Sequence, residues 1–141
     1  MNKNGAIIIV EDDKDDQEIF GEVFKELNYK NEIVFLNDGQ EALTYLIENS
    51  AEPFIVFSDI NMPKLDGKEL RKQIIENENI RLRTIPYLFF TTSAAQEDVI
   101  DAYSKSIQGF FVKPSKFEDF KRLVKNIIEY WQDCVSPNYV K

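Results

Sequence analysis

Polar residues able to do chemistry come directly after four of the apolar segments of this sequence. Two carboxylates, Glu11 and Asp12, follow the first segment, and a third, Asp59, follows the third segment. Thr91 follows the fourth segment and Lys113 follows the fifth. Carboxylates are oxygen ligands suited to a hard divalent cation such as Mg²⁺. With an ammonium group and a hydroxyl nearby, they form the equipment for stabilising a phosphoryl group during its transfer.

The electrostatics of such a cluster call for a cation. Two carboxylates about 4 Å apart repel each other by about 4 kcal/mol at an effective dielectric constant near 20. Three together are tolerated only with a divalent cation or with shifted pKa values. Mg²⁺ binds through one or two carboxylates, keeps several waters and commonly shares its site with a phosphate. Asp59 is the best candidate for a nucleophile, because aspartate side chains form aspartyl-phosphates.

The composition excludes several other kinds of chemistry and partner. The 141 residues include no histidine, which excludes Ser-His-Asp triads, Cys-His dyads and histidine-ligated zinc or haem. The single cysteine, Cys134, cannot form an intramolecular disulfide, so we expect a reducing, cytoplasmic compartment. The net charge of −8 argues against binding to nucleic acid and to anionic membrane surfaces. No apolar run approaches the roughly 20 residues that a membrane span needs.

The order of apolar segments predicts an α/β fold. Five short runs rich in β-branched and aromatic residues alternate with segments in which apolar residues recur at helical spacing. The strands are predicted at Ala6–Val10, Ile33–Leu36, Phe54–Ser58, Tyr87–Phe90 and Gly109–Val112. The helices are predicted over 15–27, from the Asp38 cap to Ile47, and over 68–77, 96–104 and 117–131. Such units predict a five-stranded parallel sheet with helices on both faces, whose ligands bind beyond the carboxyl ends of the strands.

Four motifs occur at the ends of the predicted strands: IIIVEDD at 7–13, FSDINMPKLDG at 57–67, FFTTSA at 89–94 and FFVKP at 110–114. Together they resemble the receiver domain of two-component response regulators, in its stand-alone, chemotaxis-regulator-like form. Each motif alone is weak, but the acidic loop motif followed by a strand-terminal Thr and then by Lys-Pro is specific. The resemblance covers nearly the whole chain. It implies a flavodoxin-like, doubly wound sheet with strand order 2-1-3-4-5.

The resemblance implies which residues accept the phosphoryl group and which hold the metal. Asp59 corresponds to the phospho-acceptor of the family. Glu11 and Asp12 correspond to the acidic pair that binds Mg²⁺, with Asp12 as the direct ligand and Glu11 acting through water. Asp59 itself and the backbone carbonyl of Asn61 complete the protein ligands. Because the family commonly has aspartate at the first acidic position, Glu11 is expected to shift the water-mediated shell slightly.

The resemblance also implies the residues that respond to phosphorylation. Thr91 matches the switch hydroxyl that follows the phosphoryl group, and Lys113 matches the ammonium that contacts a phosphoryl oxygen. Phe110 matches the rotameric aromatic residue of the fifth strand, although plain core packing explains it equally well. The bond between Lys113 and Pro114 matches one that is cis in the family, which would aim the lysine inward. Thr92 stands where many members carry a smaller residue.

From this resemblance we expect a single-domain response regulator of a two-component phosphorelay, which catalyses only its own phosphorylation and dephosphorylation. Residues 1–135 would form the receiver domain and residues 136–141 a frayed tail, without an output domain. A sensor histidine kinase or a histidine phosphotransfer protein would donate the phosphoryl group, because this chain has no histidine. The output would be contact with a downstream protein through the fourth helix, the fifth strand and the fifth helix. The protein would act as a monomer or as a phosphorylation-dependent dimer.

Two other functions fit parts of the sequence. One is a receiver-fold interaction module that is not regulated by phosphorylation, and the intact set of Glu11, Asp12, Thr91 and Lys113 argues against it. The other is an aspartyl-phosphate phosphatase of similar topology. Such enzymes need a second acid near the nucleophile, and the sequence after Asp59 has no acid two residues on.

The acidic residues of segment 11–18 also have a purely structural interpretation. Aspartate and glutamate stabilise helix N-termini, so a run of acids before a predicted helix needs no ligand to explain it. Asp15, Asp16 and Glu18 are interpreted in this way, as solvated surface charge.

Overall fold

The predicted strands form one parallel sheet in a computed structural model of the chain, which describes residues 1–49, 51–92 and 95–137. The spatial order is β2-β1-β3-β4-β5. This confirms the predicted fold class and strand order. The strands are β1 (Ile7–Val10), β2 (Ile33–Leu36), β3 (Ile55–Ser58), β4 (Tyr87–Thr91) and β5 (Gly109–Val112).

Helices connect the strands and cover both faces of the sheet. Their bounds agree with the predicted ones within two residues, apart from α4, a single turn that the sequence pattern did not predict. None of the described helices is long and apolar enough to cross a bilayer. Of the predicted tail, residues 138–141 lie outside the described part of the chain. The helices are α1 (Lys14–Leu27), α2 (Gly39–Glu48), α3 (Gly67–Glu76), α4 (Ile80–Arg83), α5 (Gln96–Ser104) and α6 (Phe117–Asp133).

The central strands are buried on both faces because their side chains alternate between two apolar layers. On β1, Ile8 and Val10 pack into the layer that contains α2, α3 and α5, whereas Ile7 and Ile9 pack against α1 and α6. All four β1 residues are buried. A continuous apolar run is therefore required here, since neither face of the strand meets water.

Backbone pairing at the carboxyl edge of the sheet places the polar residues in one row. The amide of Glu11 donates to the carbonyl of Leu36 (2.9 Å), and the amide of Asp59 donates to the carbonyl of Val10 (3.0 Å). Each strand ladder thus continues one residue past the strand itself. The polar side chains at these ends are consequently fixed by the sheet rather than by flexible loops.

The loop after β3 returns tightly against the backbone of Asp59. Gly67 begins α3, and its amide donates to the carbonyl of Ile60 (2.7 Å). A Cβ atom at position 67 would lie 2.2 Å from the backbone oxygen of Asp59, so a larger residue would push α3 away. The requirement for glycine here comes from close approach of two backbone segments.

The packing of one aromatic side chain gives a stability prediction. Phe20 is 2% exposed, and its ring contacts the rings of four other phenylalanines in the layer of α1 and α6. We expect Phe20→Ala to lower the free energy of unfolding by about 3–5 kcal/mol, because it leaves a cavity among close-packed rings. Urea denaturation measures the change. Tyr103→Ala, at a side chain that is 51% exposed, should change it by about 0.5 kcal/mol at most. Equal losses in the two variants would contradict this account of the core.

Candidate functional site

Three carboxylates meet at the carboxyl edge of the sheet. One oxygen from each of Glu11, Asp12 and Asp59 lies within 4.8 Å of the other two. Glu11 is 1% exposed, Asp59 is partly buried and Asp12 is exposed to solvent. The structure therefore brings together the three carboxylates that the sequence pattern selected, with one side of the group open to water.

Lys113 closes the buried side of this group. Its side chain is 5% exposed, and its Nζ donates to Glu11 Oε1, to Asp16 Oδ2 (2.9 Å) and to Asp59 Oδ2 (3.1 Å). An ammonium group has three N–H donors and no acceptor, so each donor has a carboxylate partner. The lysine is thus held facing the acids, as the sequence analysis predicts.

Asp16 is part of this arrangement, and its interpretation as solvated surface charge is wrong. Its side chain is 21% exposed and contacts Lys113, a residue far away along the chain. Asp13 caps α1 by accepting from the amides of Asp15 (2.8 Å) and Asp16 (3.2 Å), which fixes the turn that carries Asp16. No local spacing in the sequence signals this contact, because Asp16 and Lys113 are far apart along the chain and meet only in the folded structure.

Burial and charge shift the pKa values of the paired groups in opposite ways. Burial raises the pKa of the Glu11 carboxyl to about 9, the charge of Asp59 adds to this, and Lys113 acts against it. Burial by itself would lower the pKa of Lys113, but its bonds to Glu11 and Asp16 and the charge of Asp59 outweigh burial and raise it. For Asp16, burial acts to raise the pKa, but the bond to Lys113 outweighs it and lowers the value. Lys113 therefore keeps its positive charge among these acids.

The donor set fits a hard divalent cation. Glu11 Oε2 is buried and has no hydrogen-bond partner among the described residues, while Oε1 pairs with Lys113. A buried acceptor without a partner is costly, and a cation on that side would satisfy it. Asp59 Oδ1 accepts from the amide of Ile60 (2.7 Å), which orients its carboxylate within the group. Carboxylate oxygens with an open, solvent-facing side match the preference of Mg²⁺ for oxygen ligands and retained waters.

The other predicted site residues have the following positions. Thr91 is 2% exposed at the end of β4, and its backbone carbonyl accepts from the amide of Lys113 (2.7 Å). Phe110 is half-buried on β5, with its ring 5.9 Å from that of Phe89. Asn61 is exposed in the loop after β3, and its role as a carbonyl ligand stays a prediction. Of the residues after Thr91, Thr92 is exposed and Ser93 lies outside the described residues.

One feature implied by the resemblance is corrected. No cis peptide bond occurs among the described residues, so the bond between Lys113 and Pro114 is trans. The backbone bond of Lys113 to Thr91 continues the pairing of β5 with β4, and this pairing sets the direction in which the lysine leaves the strand. The side chain reaches its three carboxylate partners with the trans bond in place.

Comparison with known proteins identifies a family that matches most of this chain. Residues 7–125 match the family described as "Response regulator receiver domain". The chain is 38% identical over 129 residues to the probable methanogenesis regulatory protein FilR2 of Methanothrix harundinacea. This alignment covers 89% of this chain and 82% of FilR2. The chain is also 32% identical over 140 residues to response regulator Rcp1 of Synechocystis sp.. This alignment covers 96% of this chain and 94% of Rcp1.

Two solved structures are similar over nearly their whole length. The Mn²⁺-bound form of response regulator Rcp1 has a TM-score of 0.82 at 32% identity, covering 94% of this chain and 99% of that one. The phosphorylated cyanobacterial phytochrome response regulator RcpA has a TM-score of 0.85 at 28% identity, covering 94% and 98%. The chain is thus similar to one protein that binds a divalent metal and to one that carries a phosphoryl group.

The acidic group gives a prediction about metal binding. We expect Mg²⁺ to raise the free energy of unfolding, by about 2.7 kcal/mol at a concentration one hundred times the Kd. Asp12→Asn should weaken Mg²⁺ binding by about tenfold, because it removes one charged ligand from an exposed position. Isothermal titration calorimetry measures the affinity. Glu18→Gln, at an exposed position outside the group, is the control, and an equal loss in both variants would show that only overall charge matters.

Proposed function

The chain belongs to the response regulator receiver domain family, and on that premise we propose that it accepts a phosphoryl group from a partner phosphohistidine onto Asp59. The observation that carries the proposal is the contact of Asp59 Oδ2 with Lys113 (3.1 Å) inside a group of carboxylates that fits Mg²⁺. The receiver domain would occupy residues 1–135. The family is generally non-enzymatic apart from chemistry on its own aspartate, and we propose the same of this chain.

The proposed transfer uses the carboxylate of Asp59 as the nucleophile. An oxygen of Asp59 forms a bond to phosphorus while the bond from phosphorus to the imidazole nitrogen of the donor breaks. The electron pair of that bond stays on the imidazole, which takes a proton from solvent. The amide of Ile60 holds Asp59 Oδ1 (2.7 Å), so the carboxylate presents a fixed direction. Lys113 offsets the negative charge that develops on the phosphoryl oxygens.

We propose that Glu11, Asp12, Asp59 and the backbone carbonyl of Asn61 hold the Mg²⁺ ion. When bound, the ion neutralises charge on the transferring phosphoryl group. The free oxygen of Glu11 supports this assignment, because a cation beside it would give a buried acceptor its partner. Asp12 is exposed, which leaves room on that side for the waters that Mg²⁺ retains.

We propose that Thr91 and Phe110 report the state of Asp59. Thr91 is buried next to Lys113, so a short movement of its hydroxyl could meet new acceptor oxygens on Asp59. Phe110 packs edge-on against Phe89, which lies two residues before Thr91 on β4. A shift of Thr91 would open space that the ring of Phe110 can fill. Phosphorylation would thereby change the surface of β5 and of the helices beside it.

The proposed contact for a downstream protein is the surface of α5, β5 and α6. Because α4 was not predicted, α5 and α6 are the fourth and fifth helices of the sequence analysis. The exposed large apolar side chains of this surface include Ile100 (65%), Tyr103 (51%) and Val112 (49%). Apolar and aromatic side chains on a mostly charged surface are typical of sites where another protein binds. The same surface could serve a phosphorylation-dependent dimer.

The partners we propose follow from the chemistry of the chain. A sensor histidine kinase or a histidine phosphotransfer protein supplies the phosphoryl group, because this sequence contains no histidine. The net charge of −8 disfavours nucleic acid and anionic membranes as partners. We place the protein in the cytoplasm, where kinases and phosphotransfer proteins of this kind meet their receivers.

Covalent labelling tests the phosphorylation itself. Incubation with Mg²⁺ and acetyl phosphate should add the mass of one phosphoryl group to the intact protein, and Asp59→Asn or removal of Mg²⁺ should abolish the gain. Asp119→Asn, at an exposed position on α6, should leave the gain intact. A folded protein that binds Mg²⁺ but forms no adduct would favour the phosphorylation-independent module instead.

A second prediction concerns the role of Phe110. Hydrogen exchange of α5 amides should change when beryllofluoride and Mg²⁺ mimic the phosphorylated state, and Phe110→Ala should remove that change while beryllofluoride still binds. Phe111→Ala is a matched control, because Phe111 is the next residue and packs against the opposite layer, with α1 and α6. A normal response of α5 in Phe110→Ala would rule out this coupling route.

A further inference from the structure

The three acceptors of Lys113 differ in one respect. Glu11 and Asp59 also belong to the carboxylate group that fits a metal ion, whereas Asp16 does not. A metal ion or a phosphoryl group at the site would therefore engage Glu11 and Asp59, which are two of the three partners of the lysine. Asp16 is the partner that remains free for Lys113.

We propose that Asp16 is a positioning residue for phosphoryl transfer, which holds the ammonium group of Lys113 against Asp59 while Glu11 and Asp59 engage the metal and the phosphoryl group. This inference rests on the proposed function. Asp16 acts through Lys113 and does not itself touch the reacting atoms.

The geometry of the ammonium group supports this role. Its three N–H donors are divided among Glu11, Asp16 (2.9 Å) and Asp59 (3.1 Å). The donor that faces Asp59 is the one that a phosphoryl oxygen on Asp59 would take over. If Glu11 turns toward a cation, only the bond to Asp16 still fixes the flexible four-carbon stem of Lys113.

Asp16 itself is held in a defined place. The Asp13 carboxylate binds the amides of Asp15 and Asp16, which anchors the first turn of α1 directly after the acidic pair. The neighbouring residue Asp15 is exposed, and it makes no contact with Lys113 in the described structure. These two aspartates therefore differ in their contact with the lysine, although each carries the same charge in the same helical turn.

A competing role would have the opposite consequence. If Asp16 drew Lys113 away from the phosphoryl group, its removal would strengthen the binding of a phosphoryl mimic. If Asp16 only added negative charge to the site, its removal would act equally on the metal and on the mimic. The positioning role instead predicts that affinity is lost for the phosphoryl mimic and kept for the metal.

The test compares Asp16→Ala, Asp16→Asn and the control Asp15→Asn in the full-length protein. Mg²⁺ affinity is measured by calorimetry, and beryllofluoride affinity is measured at saturating Mg²⁺. We expect Asp16→Ala to lower beryllofluoride affinity by about tenfold, the effect of losing one hydrogen bond between charged groups. Mg²⁺ affinity should change by less than about twofold, as in Asp15→Asn, where the removed charge is exposed and screened. The beryllofluoride affinity of Asp16→Asn should lie between those of the wild type and Asp16→Ala, because its amide oxygen still accepts a hydrogen bond from Lys113.

A double-mutant cycle shows whether the effect passes through the lysine. In a Lys113→Ala background, Asp16→Ala should cause no further loss of beryllofluoride affinity. A loss that persists there, an equal loss of Mg²⁺ affinity, or unchanged or tighter binding of beryllofluoride would each overturn the positioning role. If Asp16→Ala does not fold, the conservative Asp16→Asn variant carries the same comparison. Wild-type protein that neither binds beryllofluoride nor becomes phosphorylated would instead overturn the proposed function.

Discussion

The burial of one ammonium group among carboxylates is the interaction on which the candidate site depends. Lys113 is 5% exposed and Glu11 is 1% exposed, so neither charge is stabilised by bulk water. Removing one member of such a buried pair leaves the other uncompensated, at a cost of about 3–5 kcal/mol. The pair also joins distant parts of the sheet, because Lys113 follows the edge strand β5 whereas Glu11 and Asp59 follow β1 and β3. The site therefore exists only when all the strands between them are correctly paired.

Polar contacts supply much of the connection between the carboxyl edge of the sheet and α5. Lys68, next to the tightly packed Gly67, pairs with Asp98 (2.5 Å) and Asp101 (3.6 Å) on α5. One turn further on, the buried Arg71 donates to the carbonyls of Lys105 (3.3 Å) and Ser106 (2.6 Å), just after α5 ends, and it stacks on the ring of Tyr87. Among the described residues of α5 only Ala102 is buried. A helix held mainly by polar contacts, with little apolar burial, opens locally more easily than the core of a fold, which suits the proposed role of α5 in responding to the state of the site.

The sequence predicts best what depends on local pattern. Continuous apolar runs identify strands buried on both faces, and the ends of those strands then locate Glu11, Asp59 and Lys113 without any knowledge of distant contacts. Two features could not be found in this way. The turn α4 (Ile80–Arg83) is too short to show a helical period. The contact of Asp16 with Lys113 depends on how α1 sits against β5, which no local spacing encodes.

The two oxygens of the Glu11 carboxylate have different surroundings. Oε1 pairs with Lys113, whereas Oε2 is buried without a partner, so the side chain has one face for an ammonium group and one for a second cation. Burial raises the pKa of this carboxyl, and a cation on the free side would favour its ionised form. The proposed phosphorylation of Asp59 would add about one negative charge to a site that already contains four carboxylates and one lysine. That charge has to be met by donors close to Asp59, and the buried hydroxyl of Thr91 lies at the end of the strand beside it. The electrostatics of the site would thus require a neighbouring group to rearrange, and this rearrangement would couple the proposed covalent change at Asp59 to a change at the surface.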